Sequence, residues 1–195
     1  MKEVFYEECS TIIDEGSATR KYSICKIFSI ICYTIAVLWA TLVALGYEFK
    51  GDLVVNIIFI TFPLALFICI GILLGRLKNN FFVEYDYTFI TGTIKIAKVI
   101  RQIKRKSVFD FDVSNIEKIG MYDSSTYNEY LAIPGISTMV LTSNPSPNEG
   151  KNFYYIVANI FGEKKLLIFE CTEIFIVNII KFTNKNILEE ELLKK

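Results

Sequence analysis

Apolar residues run without a charge from Ile27 to Tyr47 (IFSIICYTIAVLWATLVALGY) and again from Leu53 to Gly75 (LVVNIIFITFPLALFICIGILLG). Each run meets the roughly 20-residue length at which a helix crosses the hydrocarbon core of a bilayer. Only residues 48–52 separate them, so the pattern predicts a transmembrane helical hairpin, 27–47 and 53–75, behind an N-terminal segment 1–26. A cleaved signal peptide has a shorter apolar core behind a basic leader. Here the leader is acidic and Ala44, Leu45 and Gly46 only loosely imitate a cleavage site, so both helices are expected to stay in the mature chain.

From Phe82 the period changes to two. Val83, Tyr85, Tyr87 and Phe89 alternate with Glu84, Asp86 and Thr88, Thr91-Gly92 supplies a turn, and Ile94 and Ile96 alternate with Lys95. This alternation marks half-buried strands joined as a hairpin. Residues 108–112 continue it, with Asp112 or Ser114 placed to cap one helical turn through 115–118. Further strands are expected at 137–142, 153–160 and 165–170, forming an antiparallel meander, with residues 144–152 (NPSPNEGKN) as an exposed mobile loop. Thr172 is placed to cap a closing helix over 173–182, and 187–193 to form a short acidic tail helix. Residues 80–195 are thus expected to form one water-facing domain.

Of the 195 residues 52% are hydrophobic, and the net charge is zero. Local balances matter more. Glu3, Glu7, Glu8, Asp14 and Glu15 make the first segment acidic, while Lys95, Lys98, Arg101, Lys104, Arg105 and Lys106 share twelve residues with no carboxylate. A basic run of this kind suits an anionic lipid surface or an acidic partner; no aromatic set interleaves with it, which argues against nucleic acid. Arg20, Lys21 and Lys26 precede the first span and Arg76 and Lys78 follow the second, against Lys50 alone between them. The positive-inside rule then places both termini in the cytoplasm of a multi-pass cell-membrane protein.

Within the spans, Ala36, Ala40 and Ala44 repeat at four-residue spacing, as do Gly71 and Gly75. Small residues let helices approach closely in lipid, within the hairpin or against a second copy. Pro63 is expected to kink the second helix, and Asn56 to hydrogen-bond between helices.

The order of parts also carries a likeness. Two membrane helices are followed by Tyr85-Asp86-Tyr87-Thr88-Phe89, Gly92, a Lys104-Arg105-Lys106 strand, Asp112-Val113-Ser114-Asn115-Ile116-Glu117, and Phe169-Glu170 leading into the last helix. Residues 27–185 resemble the bacterial pleckstrin-homology-like membrane proteins, most closely a family of small two-helix Firmicute proteins. The resemblance implies an α+β membrane protein: a transmembrane hairpin, then a seven-strand antiparallel β domain with a C-terminal capping helix. It implies no established activity, and Cys171 stands where the resemblance leads one to expect proline.

The residues themselves point away from catalysis. The sequence has no histidine, and its five cysteines lack metal-ligand spacing, so no cofactor or metal is implied. Asp110 and Asp112 share a strand face, but alternation with Phe109 and Phe111 accounts for them without chemistry. Ser124, Ser125 and Thr126 lie in an expected loop with Tyr122, Tyr127 and Tyr130 and no base beside them. Gly92, Gly120, Gly135, Gly150 and Gly162 stand singly, not as a phosphate loop. The expectation is a non-enzymatic, membrane-anchored module binding a protein partner or anionic lipid; the alternative is a small subunit of a transport or channel assembly.

Overall fold

A computed structural model of the chain describes residues 3–46, 51–183 and 186–189, which divide into two compact units. The helical unit, Asp14–Phe82, holds α1 (Glu15–Gly46) and α2 (Leu53–Leu77), each long and apolar enough to cross a membrane. Asp14 accepts the Ser17 amide (2.8 Å) and Asp52 the Val54 amide (2.9 Å), so each helix starts on a carboxylate cap. Because Asp14 nucleates it, α1 begins well before Ile27, and Arg20, Lys21 and Lys26 ride on its first turns. The connection at 47–50 lies outside the described residues.

The packing seam explains the pairing of the two helices. On α1 a line of covered residues runs through Tyr22, Cys25, Ser29, Cys32, Ala36, Trp39 and Val43, alternating three and four apart as in a coiled coil, with Ser17, Ala18 and Ser23 also covered near its start. Gly71 receives the Tyr33 ring: a Cβ there would lie 2.8 Å from it. Ser29 donates to the Gly71 carbonyl (2.8 Å). α2 runs through Pro63, which removes the amide that would bond the Phe59 carbonyl. The Trp39 indole donates to the next carbonyl, that of Ile60, at 3.2 Å.

The β-rich unit joins the residues up to Ile13 with the chain from Val83 onward. Its first sheet has the antiparallel order β1 (Phe5–Ser10), β2 (Val83–Ile90), β3 (Thr93–Ile100), β4 (Lys104–Asp112). Its second comprises β5 (Ile116–Met121), β6 (Ser137–Val140), β7 (Asn152–Ile160) and β8 (Glu163–Cys171) in the order β5-β7-β8-β6. The sheets enclose Tyr87, Phe89, Ile94, Ile156, Leu167 and Phe169, and α4 (Glu173–Phe182) closes the core with Phe175 and Ile179.

Several expectations change. No strand is expected before the helices, yet β1 pairs with β2 from Phe5↔Ile90 to Ser10↔Tyr85, giving eight strands among the described residues where seven are implied. β6 runs parallel to β8, so the second sheet is not a pure meander. Asp112 caps a 3-10 turn over Val113–Asn115 and β5 follows at once, in place of a helical turn through Lys118. Residues 125–131 form α3 (Ser125–Leu131) instead of a loop, capped by Ser124 accepting the Tyr127 amide. Ile187–Glu189 are extended, not helical, and bond β5 through Ile119; the rest of that expected helix lies outside the described residues. Gly120 makes room for this segment, since a Cβ would lie 2.0 Å from the Glu189 carboxylate.

β1 turns polar side chains inward because they meet polar partners there. Glu170, fully buried on β8, accepts from Ser10 Oγ (2.6 Å), Thr142 Oγ1 (2.5 Å), Asn144 Nδ2 (2.8 Å) and both the amide and Nδ2 of Asn148 (2.9 and 2.7 Å). Glu8 accepts the Thr172 amide and hydroxyl at the start of α4 and pairs with Lys151 at 3.2 Å. Thr172 thus sits at the cap position with its hydroxyl bonded to β1 and not to the helix. Segment 144–148, expected as mobile, is held on Glu170. Asn144 also accepts the Ile13 amide (3.1 Å) and Ser143 donates to the Val83 carbonyl (2.6 Å), which ties both points where the chain leaves this unit.

Two outcomes follow from this clasp. A fragment starting at Asn80 lacks β1 and is expected to melt without a cooperative transition by circular dichroism. Joining residue 13 to residue 83 through about eight Gly/Ser residues, a flexible coil, is expected to restore one. Burial pushes the Glu170 pKa up, but the bonds from Ser10, Thr142, Asn148 and Asn144 outweigh it and hold the group below its ordinary 4.5. A depressed folded value means that Glu170 stabilises the fold above pH 4.5, and that this contribution is lost as pH falls through the lower folded value. Urea midpoints of the joined unit measured down that range should fall, and Glu170→Gln should flatten the dependence while lowering stability near neutral pH by on the order of 3 kcal/mol.

Candidate functional site

The six basic residues fall on one hairpin, β3–β4, and its geometry sorts them. The turn is tight: Ile103 donates its amide to the Ile100 carbonyl at 3.2 Å, with Arg101 and Gln102 both at φ 56°. Two successive left-handed residues make a type I′ turn, which matches strand twist but is rarely built without glycine or asparagine. Ile103, at the tip, is 80% exposed.

A bulge decides which side chains share a face. Ile96 pairs with Phe109 but Ala97 with Ser107, so Val108 is the extra residue on β4. One inserted residue transfers everything beyond it to the opposite face. Lys106 therefore pairs with Lys98, and Lys104 with Ile100, on the face that carries Ile94 and Ile96. Arg105 pairs with Val99 on the other face, where it meets Asp86 at 2.5 Å and Glu7 at 3.5 Å. Lys95 lies on the Arg105 face, opposite Asp110.

The result is a hairpin with two different sides. Arg105 neutralises a nearly buried carboxylate, and Gln102 donates to Glu84 (3.4 Å) beside it. Lys98, Lys104 and Lys106 have neither an ion pair nor a hydrogen bond to a described residue. Lys98 and Lys106 stand directly opposite, an arrangement that is unfavourable for like charges.

The same register places the tip within the unit. Ser10 pairs with Tyr85, Val83 with Ile100, and Ile100 with Lys104, so β1 exits and β2 enters at the end of the sheet that carries Arg101–Lys104. The hairpin tip therefore occupies the sheet end at which the chain departs for α1 and returns from α2.

Other candidates are absorbed by the fold. Asp112 is a cap, Ser124 caps α3 and donates to Glu189 (3.1 Å), and Tyr127 is buried against Tyr155. Burial, then a hydrogen bond to Asp86, pushes the Cys9 thiol up to about 12, and burial lifts Cys171 well above its usual value. Neither thiol is a ready nucleophile. Of the small residues, Ala36 and Gly71 are buried in the hairpin seam and Gly75 lies beside Ser29, whereas Ala40 and Ala44 are exposed on α1. The pairing of Arg105 with Glu7 and Asp86 and the prominence of Ile103 are the features that sequence reasoning misses. The Val108 bulge sets the face of Arg105, and no residue at that position signals it; the exposure of Ile103 follows from the turn at Arg101 and Gln102.

Residues 15–189 match the family described as Bacterial PH-like domain (DUF6106). No curated protein and no solved structure matches the chain.

The two sides of the hairpin should respond differently to loss of charge. Arg105→Gln leaves Asp86 buried without its cation and is expected to cost about 1–3 kcal/mol, less than a fully buried pair because the guanidinium is partly exposed. Lys104→Gln is expected to stay within about 0.5 kcal/mol of the parent. Urea denaturation of the joined β-rich unit checks both.

Proposed function

The chain belongs to this bacterial PH-like family, and on that premise we propose that it is a non-enzymatic module held by its two helices, which presents the β3–β4 hairpin to an anionic surface at the cytoplasmic membrane face. That surface is the lipid headgroup layer or an acidic partner on it. The observation that carries the reading is the register: the basic, apolar-tipped hairpin lies at the sheet end where the chain passes to and from the two candidate spans. Basic residues near an anionic leaflet contribute about 1 kcal/mol each. With the helices as anchor, that attraction orients the domain instead of recruiting it.

Orientation follows from Arg20, Lys21, Lys26, Arg76 and Lys78 beside the spans, which favour placing both chain ends and the β-rich unit inside. A non-catalytic role is supported by how the polar groups are used: Glu8 and Glu170 are saturated with structural hydrogen bonds, and the Cys9 and Cys171 thiols are held protonated.

A photocrosslinking residue, p-benzoylphenylalanine, placed at Ile103 in the whole chain in native membranes is expected to form adducts with lipid or with a membrane-bound protein. The same residue at Phe161, equally exposed on the β7–β8 turn, serves as the solvent reference and is expected to form none. Absence of any adduct at position 103 would overturn the reading.

A further inference from the structure

We propose that the outer edge of β5 is a docking groove for an extended partner segment in which an aliphatic residue is followed, two positions later, by a neutral hydrogen-bonding side chain. Residues 187–189 of this chain are its tethered competitor. The inference concerns the second sheet and is independent of the β3–β4 hairpin.

β5 is an outer strand of its sheet, paired with β7 on one side. The free side of such a strand presents amides and carbonyls that template a further strand. Here residues 187–189 take that place: the Ile119 amide donates to the Ile187 carbonyl (2.7 Å), and the Glu189 amide donates to the Ile119 carbonyl (2.9 Å). The bridge is parallel and centred on Leu188. Two side chains flank it and define what the edge accepts. Ile187, 2% exposed, joins the main core, and Glu189 enters a notch that exists because residue 120 is glycine; a Cβ there would overlap both the Glu189 carboxylate and the Tyr155 ring.

The notch fits its present occupant in shape but not in polarity. Glu189 Oε2 accepts from Ser124 Oγ at 3.1 Å, whereas Glu189 Oε1 and the Tyr155 hydroxyl, both buried, have no hydrogen-bond partner. Leaving such groups unpaired away from water is costly. Burial, then the adjacent Glu189 carboxylate, push the Tyr155 hydroxyl pKa up, which keeps it a neutral group able to accept a bond. A carboxylate has only acceptors to offer, but a side-chain amide has one acceptor and two donors. A glutamine in the notch would keep the Ser124 bond, donate to Tyr155 and bury no uncompensated carboxylate. Glu189 holds the site because it is tethered: Ile187 lies four positions beyond Thr183, the C-cap of α4, and a short tether gives a poorly matched segment a high effective concentration. An untethered partner displaces it by matching the notch better.

The probes are fluorescent peptides with the sequence of residues 185–191, one native and one carrying Glu189→Gln, read by anisotropy against the full chain and a chain ending at Thr183, both in dodecyl maltoside. The shortened chain should bind the glutamine peptide about tenfold more tightly than the full chain does, because the tethered competitor is gone. It should prefer the glutamine peptide to the native one by about tenfold, the effect of pairing one buried group that otherwise stays unmade. Tyr155→Phe in the shortened chain should remove most of that preference, and Ile187→Ser in the peptide should abolish binding. In a shortened chain that keeps a cooperative melt, binding no tighter than that of the full chain would overturn the groove. Equal affinity for the two peptides would overturn the stated partner chemistry. The full chain supplies a measurement that needs no truncation: Glu189→Gln should slow amide hydrogen exchange at Ile119 by about tenfold. Unchanged or faster exchange there would overturn the mismatch on which the proposal stands.

Discussion

Glu170 accepts five hydrogen bonds with no exposure to solvent, and the rest of the β-rich unit depends on them. The chain leaves this unit at Ile13 and returns at Val83, so β1 has no short covalent link to the strand it pairs with. Backbone pairing alone would leave the inward residues Glu8 and Ser10 as buried polar groups without partners, a cost of several kcal/mol. Glu170, Thr172 and Lys151 supply those partners, and Ser143 and Asn144 grip the two exits. A helical insertion between two adjacent strands is thereby accommodated without opening the sheet.

That arrangement also fixes where the β3–β4 hairpin turns. Once Ser10 is held at Tyr85 and Val83 at Ile100, the next hairpin must turn at the same end, and its basic residues gather where the chain departs for the helices. The Val108 bulge then divides them: Arg105 becomes part of the fold, and Lys98, Lys104 and Lys106 stand on the other face with no ion pair to a described residue.

How much of this could be read in the sequence depends on which force dominates each segment. The two apolar runs and the alternation in β2 and β3 are large, local signals, and both helices and the strands from Val83 to Ile100 follow from them. α4 is legible to the residue because the apolar face of 173–182 acts within one element, although the Thr172 hydroxyl at its start bonds Glu8 of β1 and not the helix. β1 is illegible because its inward face is Tyr6, Glu8 and Ser10, a pattern that makes sense only beside Glu170, 160 residues from Ser10. α3 hides among hydroxyl residues that resemble a loop, and the parallel placement of β6 rests on pairing with a strand that comes later in the chain. The basic stretch is visible as composition, but its division into two faces depends on one unpaired residue whose position nothing local specifies.

The central claim is that the β3–β4 hairpin of the whole chain rests on an anionic leaflet. Amide hydrogen exchange on the intact protein in nanodiscs tests it most directly, comparing phosphatidylglycerol-containing discs with pure phosphatidylcholine discs. The account predicts slower exchange at residues 101–106 in the anionic discs, with the β7–β8 turn at Phe161 and Gly162 unchanged. Identical exchange at 101–106 in both lipids would contradict it.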